Sequence, residues 1–109
     1  VKIRPVIPRV LAERDVQEVI DHLAEDSPQA ALGFVDALEQ AYSHIGRHPA
    51  AGSPRYAHEL ALPGLRFWPV RGYPYLIFYV EQVDRMDVWR VLHSERDIPV
   101  WMHQQEEPF

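Results

Sequence analysis

Three arginines and a histidine in the second half of the chain, Arg66, Arg90, Arg96 and His93, are the side chains best suited to chemistry. Histidine is the usual general acid or base near neutral pH, and a guanidinium can neutralise charge on a phosphate. Each also has a plainer reading. His93 closes an apolar run, where it can end a strand by bonding to backbone. Arg90 lies inside an otherwise apolar strand, and a buried guanidinium there needs a carboxylate such as Asp87 or Asp97, so structural pairing is the role expected of it. Arg66 precedes Trp68 by two residues on the same strand face, either as a surface arginine packed on a ring or as a contact to a partner or target. His44 and His48 have the i, i+4 spacing of a helical metal pair. Pro49 follows them directly and no glutamate-containing zinc motif surrounds them, so no metal site and no cofactor is expected.

The elements that must position these residues are organised around Tyr73–Val80 and Met86–His93, two runs crowded with aromatic and β-branched residues. Glu81 to Arg85 is the right length for a hairpin loop between two antiparallel strands. From Tyr75 to Val80 both alternating faces are apolar, which places this strand in the middle of a sheet covered on both sides. Upstream, Lys2 to Ile7 is a short β-branched edge strand stopped by Pro8, which is expected to occupy the first turn of a helix. Ala12, Val16, Val19, Ile20 and Leu23 then recur at helical spacing, predicting an amphipathic helix over about 9–25.

Ser27-Pro28 is a helix-start signal. Ala31, Phe34, Val35, Leu38, Ala41, Tyr42 and Ile45 continue the helical period until Gly46 to Pro49 stops it. A breaker-rich loop, His48 to Tyr56, leads toward a strand at Leu65–Val70, where Pro69 indicates an edge or a bulge. Ile98 to His103 reads as a short packed arm, and the 104–109 tail is expected to be disordered. The resulting fold class is α+β in the order β-α-α-β-β-β, a helical hairpin packed on one face of a small antiparallel sheet within one domain, residues 1–103. Little chain remains to cover the opposite sheet face. Trp68, Trp89, Tyr75 or Tyr79 is therefore expected to be exposed there, and an exposed aromatic patch indicates a partner.

Composition narrows the function classes. The formal net charge of −5 opposes a broad nucleic-acid surface, which normally carries a basic surplus. The absence of cysteine excludes disulfide and thiolate chemistry. No apolar run reaches the roughly 18 residues of a membrane span, and no secretory signal pattern is seen, so the expected compartment is the cytoplasm, with no membrane partner.

The helical pair with Ala31, Phe34 and Leu38, the His48-Pro49-x-x-Gly52 loop, the Leu65-Arg66 pair, the Tyr75-Leu76-Ile77-Phe78-Tyr79 strand and the Arg90-Val91-Leu92-His93-x-x-Arg96-Asp97 ending together resemble ParE toxins of the RelE/ParE toxin–antitoxin superfamily, the plasmid-stabilisation type. The resemblance runs from the first strand to Asp97. It implies a poison of DNA gyrase, neutralised by a ParD-like antitoxin that lays an amphipathic helix into an apolar groove and alone contacts DNA. Arg66, Trp68, Tyr75, Tyr79 and Trp89 are the candidate partner-binding residues.

The RelE side of the superfamily consists of mRNA endonucleases acting in the ribosome. Cleavage through a 2′-OH needs a base, an acid for the leaving oxygen and a cation for the phosphorane charge, a set that His93, Arg66, Arg90 and Arg96 would have to supply. The acidic net charge, the single lysine and the lack of a basic C-terminal helix oppose that reading, so no catalytic residue is expected.

Overall fold

A computed structural model describes residues 3–103, so the expected disorder of the 104–109 tail lies outside the described residues. The first strand, β1 (Val6–Pro8), is shorter than expected. Just past its end, the Arg9 N–H still donates to the Val88 carbonyl at 2.9 Å. Pro8 therefore belongs to the strand rather than to the first helical turn, with its missing N–H on the outer side of the ladder.

Helix α1 (Val10–Asp26) buries Ala12 and Val19 on the predicted stripe, and α2 (Pro28–Arg47) buries Ala31, Phe34, Leu38, Ala41 and Ile45. Ser27 starts α2 as its type predicts. Its hydroxyl accepts the Ala30 N–H at 3.2 Å and Pro28 fills the first turn.

The remaining strands are β2 (Leu65–Pro69), β3 (Tyr75–Glu81) and β4 (Met86–His93), and the sheet order is β1-β4-β3-β2. The sheet is mixed rather than antiparallel, because β1 lies parallel to β4, Val6 beside Met86. Between Phe78 and Tyr79 the β3–β4 register shifts: Tyr79 faces Val88 while Phe78 faces Arg90, so Trp89 is the extra residue of a bulge.

The central strand is covered on both faces. Above, Tyr75, Ile77 and Tyr79 pack with Val88 and Val91 beneath α1 and α2. Phe34 is fully buried there, its ring edge-on to Tyr75 at 5.5 Å between centroids. Each such large apolar side chain contributes on the order of 1.5–3 kcal/mol.

Below, Phe78, Leu65 and Leu92 pack against Leu60, Ile98 and Met102. The cover comes from two short helices, α3 (Arg55–Glu59) with the residues after it, and α4 (Ile98–Met102). The expectation of an uncovered lower face is thereby corrected. The expected arm at 98–103 is α4, started by Asp97, whose carboxylate accepts the Val100 N–H at 3.3 Å.

Candidate partner-binding surface

Arg90 is the most completely committed of the candidate side chains. It is 2% exposed and donates twice to Asp15 of α1, at 2.7 and 2.8 Å, and once to the Trp101 carbonyl at 2.9 Å. The same carboxylate accepts the Val91 N–H at 3.0 Å, a group on the outer edge of β4 beyond the end of β1. Structural pairing is therefore right in kind, but the partner is Asp15 rather than Asp87 or Asp97. The signal was present in α1: Asp15 stands three residues after Ala12 and four before Val19, on the buried stripe.

Asp87 has a different arginine. Arg9 binds it through two bonds of 3.1 and 3.0 Å, and the Trp89 indole N–H donates to it at 3.0 Å. The Arg9 guanidinium lies 4.4 Å from the Trp89 ring centroid, so Trp89 is half-buried beneath a cation. Ile7 and Val10, both 49% exposed, border this corner.

Arg66 is anchored to backbone, donating to the Gly52 carbonyl at 2.8 Å and to Ala50 at 3.3 Å. Tyr79 holds the same loop from inside. It is fully buried, and its hydroxyl accepts the Gly52 N–H at 2.9 Å and donates to the Pro49 carbonyl at 3.0 Å. Gly52 is required by this close approach, since a Cβ there would come within 2.8 Å of the Phe67 carbonyl. Burial pushes the Tyr79 hydroxyl pKa up. Tyr75 is also internal, 8% exposed, between Phe34 and the edge of His93. Tyr75 and Tyr79 therefore do not form part of an exposed aromatic patch, because the upper core encloses both.

Trp68 does reach the surface. Its ring stacks on His44 at 4.4 Å rather than on Arg66, and His48 lies 4.9 Å beyond His44. The stack forms one wall of a groove of about 480 Å³ between α2 and β2, floored by Ala37, Ala41 and Pro69 and bordered by Arg71. Among the described residues no cluster able to hold a metal ion is present.

His93 and Arg96 share a cleft of about 410 Å³ with Glu18, His22 and Glu95. The Nδ1 of His93 accepts the Glu95 N–H at 3.1 Å, which puts the neutral ring's proton on Nε2. The Arg96 guanidinium lies over Trp101 at 3.9 Å. Arg66 is on the far edge strand opposite Tyr79, whereas His93 is opposite Tyr75. Four residues along the strand and two strand spacings put them on the order of 15 Å apart. The four side chains that would make a phosphoryl-transfer set are not brought together. Glu18, His22 and Glu95, which do converge, come from α1 and from the turn after β4, and no local pattern marked them.

Residues 6–98 match the family described as ParE toxin of type II toxin-antitoxin system, parDE. The chain belongs to the ParE toxin family. The solved structures similar to it include one from P. aeruginosa described as a chromosomal ParDE TA system, with a TM-score of 0.70 at 18% identity, covering 85% of this chain and 98% of that one. No curated protein matches the chain. For this ParE-family chain, the candidate partner-binding residues that remain partly exposed are Trp68 at the α2–β2 groove, Trp89 at its corner, and Arg66 with its guanidinium anchored to loop carbonyls. No helix among the described residues is long and apolar enough to cross a membrane.

Proposed function

We propose that this toxin acts by binding DNA gyrase, without catalysing a reaction of its own, and that a ParD-like antitoxin neutralises it in the cytoplasm. The observation that carries the non-enzymatic reading is the fate of the cations. Arg90 is held by Asp15 and Arg66 by two loop carbonyls, so neither is available to stabilise a phosphorane. The net charge of −5 supports an antitoxin-borne rather than a toxin-borne contact with DNA.

The antitoxin's apolar helix face fits the groove between α2 and β2, where Trp68 and the alanines of α2 supply an apolar wall and floor. The Trp89 corner, bordered by Ile7 and Val10, is the second contact. Gyrase supercoiling and cleavage assays with purified toxin, run beside a ribosome-bound mRNA cleavage assay, test the reading. Inhibition of gyrase with intact mRNA is expected. Cleaved mRNA with unaffected gyrase overturns the proposal, and an effect on neither reduces the chain to an antitoxin-binding protein.

A further inference from the structure

A strand at the edge of a sheet leaves backbone groups that must be paired, blocked or exposed. The β2 edge is blocked. Phe67 exchanges two hydrogen bonds with Ser53, at 2.9 and 3.0 Å, the Leu65 N–H donates to Leu62 at 3.1 Å, and Pro69 has no N–H.

The β4 edge is different. Leu92 faces Leu76 and Arg90 faces Phe78, in the register that the Ser94 N–H continues to Pro74 at 2.9 Å. In an antiparallel ladder the alternate residues, Val91 and His93, then turn their backbone groups away from β3. Two of those four groups are engaged: the Val91 N–H donates to Asp15, and the His93 carbonyl accepts the Arg96 N–H at 3.1 Å. The Val91 carbonyl and the His93 N–H have no protein partner among the described residues.

That pair has the spacing of one parallel bridge. A guest residue opposite Leu92 would donate its N–H to Val91 and accept from His93, as β1 does further along β4 through Pro5 and Arg9. β1 ends at Pro8 and the chain turns into α1, so nothing from β1 lies beside Leu92. Clefts of about 410 and 270 Å³ flank this edge, and both are lined by Asp15, Glu18 and Arg96. With Asp15 paired to Arg90, the carboxylates of the larger cleft, Glu18 and Glu95, outnumber its Arg96 when His22 and His93 are counted as neutral, whereas Arg14 lines only the smaller one.

We infer that the free half of the β4 edge is a docking site for an extended segment of a partner protein, running parallel to β4 and presenting a lysine or arginine to Glu18 and Glu95. Backbone bonds supply the register and the carboxylates the side-chain preference. The inference stands on the pairing pattern of this sheet and does not depend on gyrase being the target.

The probe is an acetylated, amidated octapeptide of alternating valine and threonine with one arginine at its centre, added to the ¹⁵N-labelled full chain. Binding is expected to shift the His93 amide resonance and slow its hydrogen exchange while leaving Phe67 unchanged. N-methylation scanned along the peptide should weaken binding about tenfold at one position, where the donor to Val91 is lost. Glu18→Gln and Glu95→Gln should each weaken the arginine peptide by about threefold and leave a glutamine version unaffected. The proposal is overturned if no peptide binds at roughly 1 mM, or if every N-methylated peptide binds as well as its parent. It is equally overturned if the His93 amide responds to protein concentration alone, which would assign the edge to a second copy of this chain.

Discussion

Replacing Asp15 by alanine tests how the two ends of the chain are joined. The carboxylate takes both strong bonds from Arg90 and one from the Val91 N–H, and its side chain is 7% exposed against 3% for Arg90. Alanine leaves a guanidinium buried with only the Trp101 carbonyl among these partners, and an N–H without an acceptor. Breaking a buried pair by removing one member costs about 3–5 kcal/mol. The orphaned N–H adds about 1–3 kcal/mol where water cannot reach it. The two contributions share one cavity and are not additive, so a loss of about 4 kcal/mol is expected, a large part of the roughly 5–15 kcal/mol of a domain.

Urea denaturation followed by tryptophan fluorescence measures this through the midpoint at constant slope. Asp15→Asn, which keeps an acceptor for Val91, should lose less than Asp15→Ala. The double variant Asp15→Leu with Arg90→Met should recover most of the stability, because an apolar pair of similar volume avoids the desolvation of two charges. A loss below about 1 kcal/mol for Asp15→Ala, the range of an exposed ion pair, would refute the structural role assigned to the buried Asp15–Arg90 pair.

Other perturbations probe the loop, the core and the surface. Tyr79→Phe should cost about 1–2 kcal/mol and speed exchange of the Gly52 amide, as expected if the hydroxyl clamps the 48–54 loop; unchanged exchange would rule the clamp out. Tyr42→Phe should be neutral or stabilising by up to about 1 kcal/mol in a thermal melt, since the Tyr42 hydroxyl is buried without a hydrogen-bond partner among the described residues. Burial raises the pKa of both Tyr42 and Tyr79, so their neutral forms favour the fold. The stability they confer is complete below the unfolded value of about 10 and is lost as pH rises through the folded values, and either Phe variant should flatten that alkaline decline. Trp68→Ala should weaken antitoxin binding by about tenfold or more, measured by calorimetry, with the fold intact by circular dichroism; unchanged affinity would remove the α2–β2 groove from the interface.

What the sequence determined by itself is the set of elements whose signals are local. The stripes of α1 and α2, the Ser27-Pro28 start and the two apolar runs of β3 and β4 each repeat over several residues, and hydrophobic periodicity needs no tertiary partner to be read. α3, and the helical form of the arm that is α4, have no such signal because five residues are little more than one turn, too short for a period to emerge. Without them the lower face looked bare and Tyr75 and Tyr79 became surface candidates, although an aromatic residue in a strand is core or surface according to what lies over it. The tertiary structure alone decided that β1 lies parallel to β4, that Asp15 meets Arg90 from 75 positions away, and that Val91 and His93 share an edge whose groups are only half engaged among the described residues. Pairing between residues distant in sequence depends on chain path rather than on local propensity. The three arginines and the histidine suited by type to chemistry are accordingly divided by the fold, Arg66 and Arg90 to structure and His93 and Arg96 to an accessible cleft.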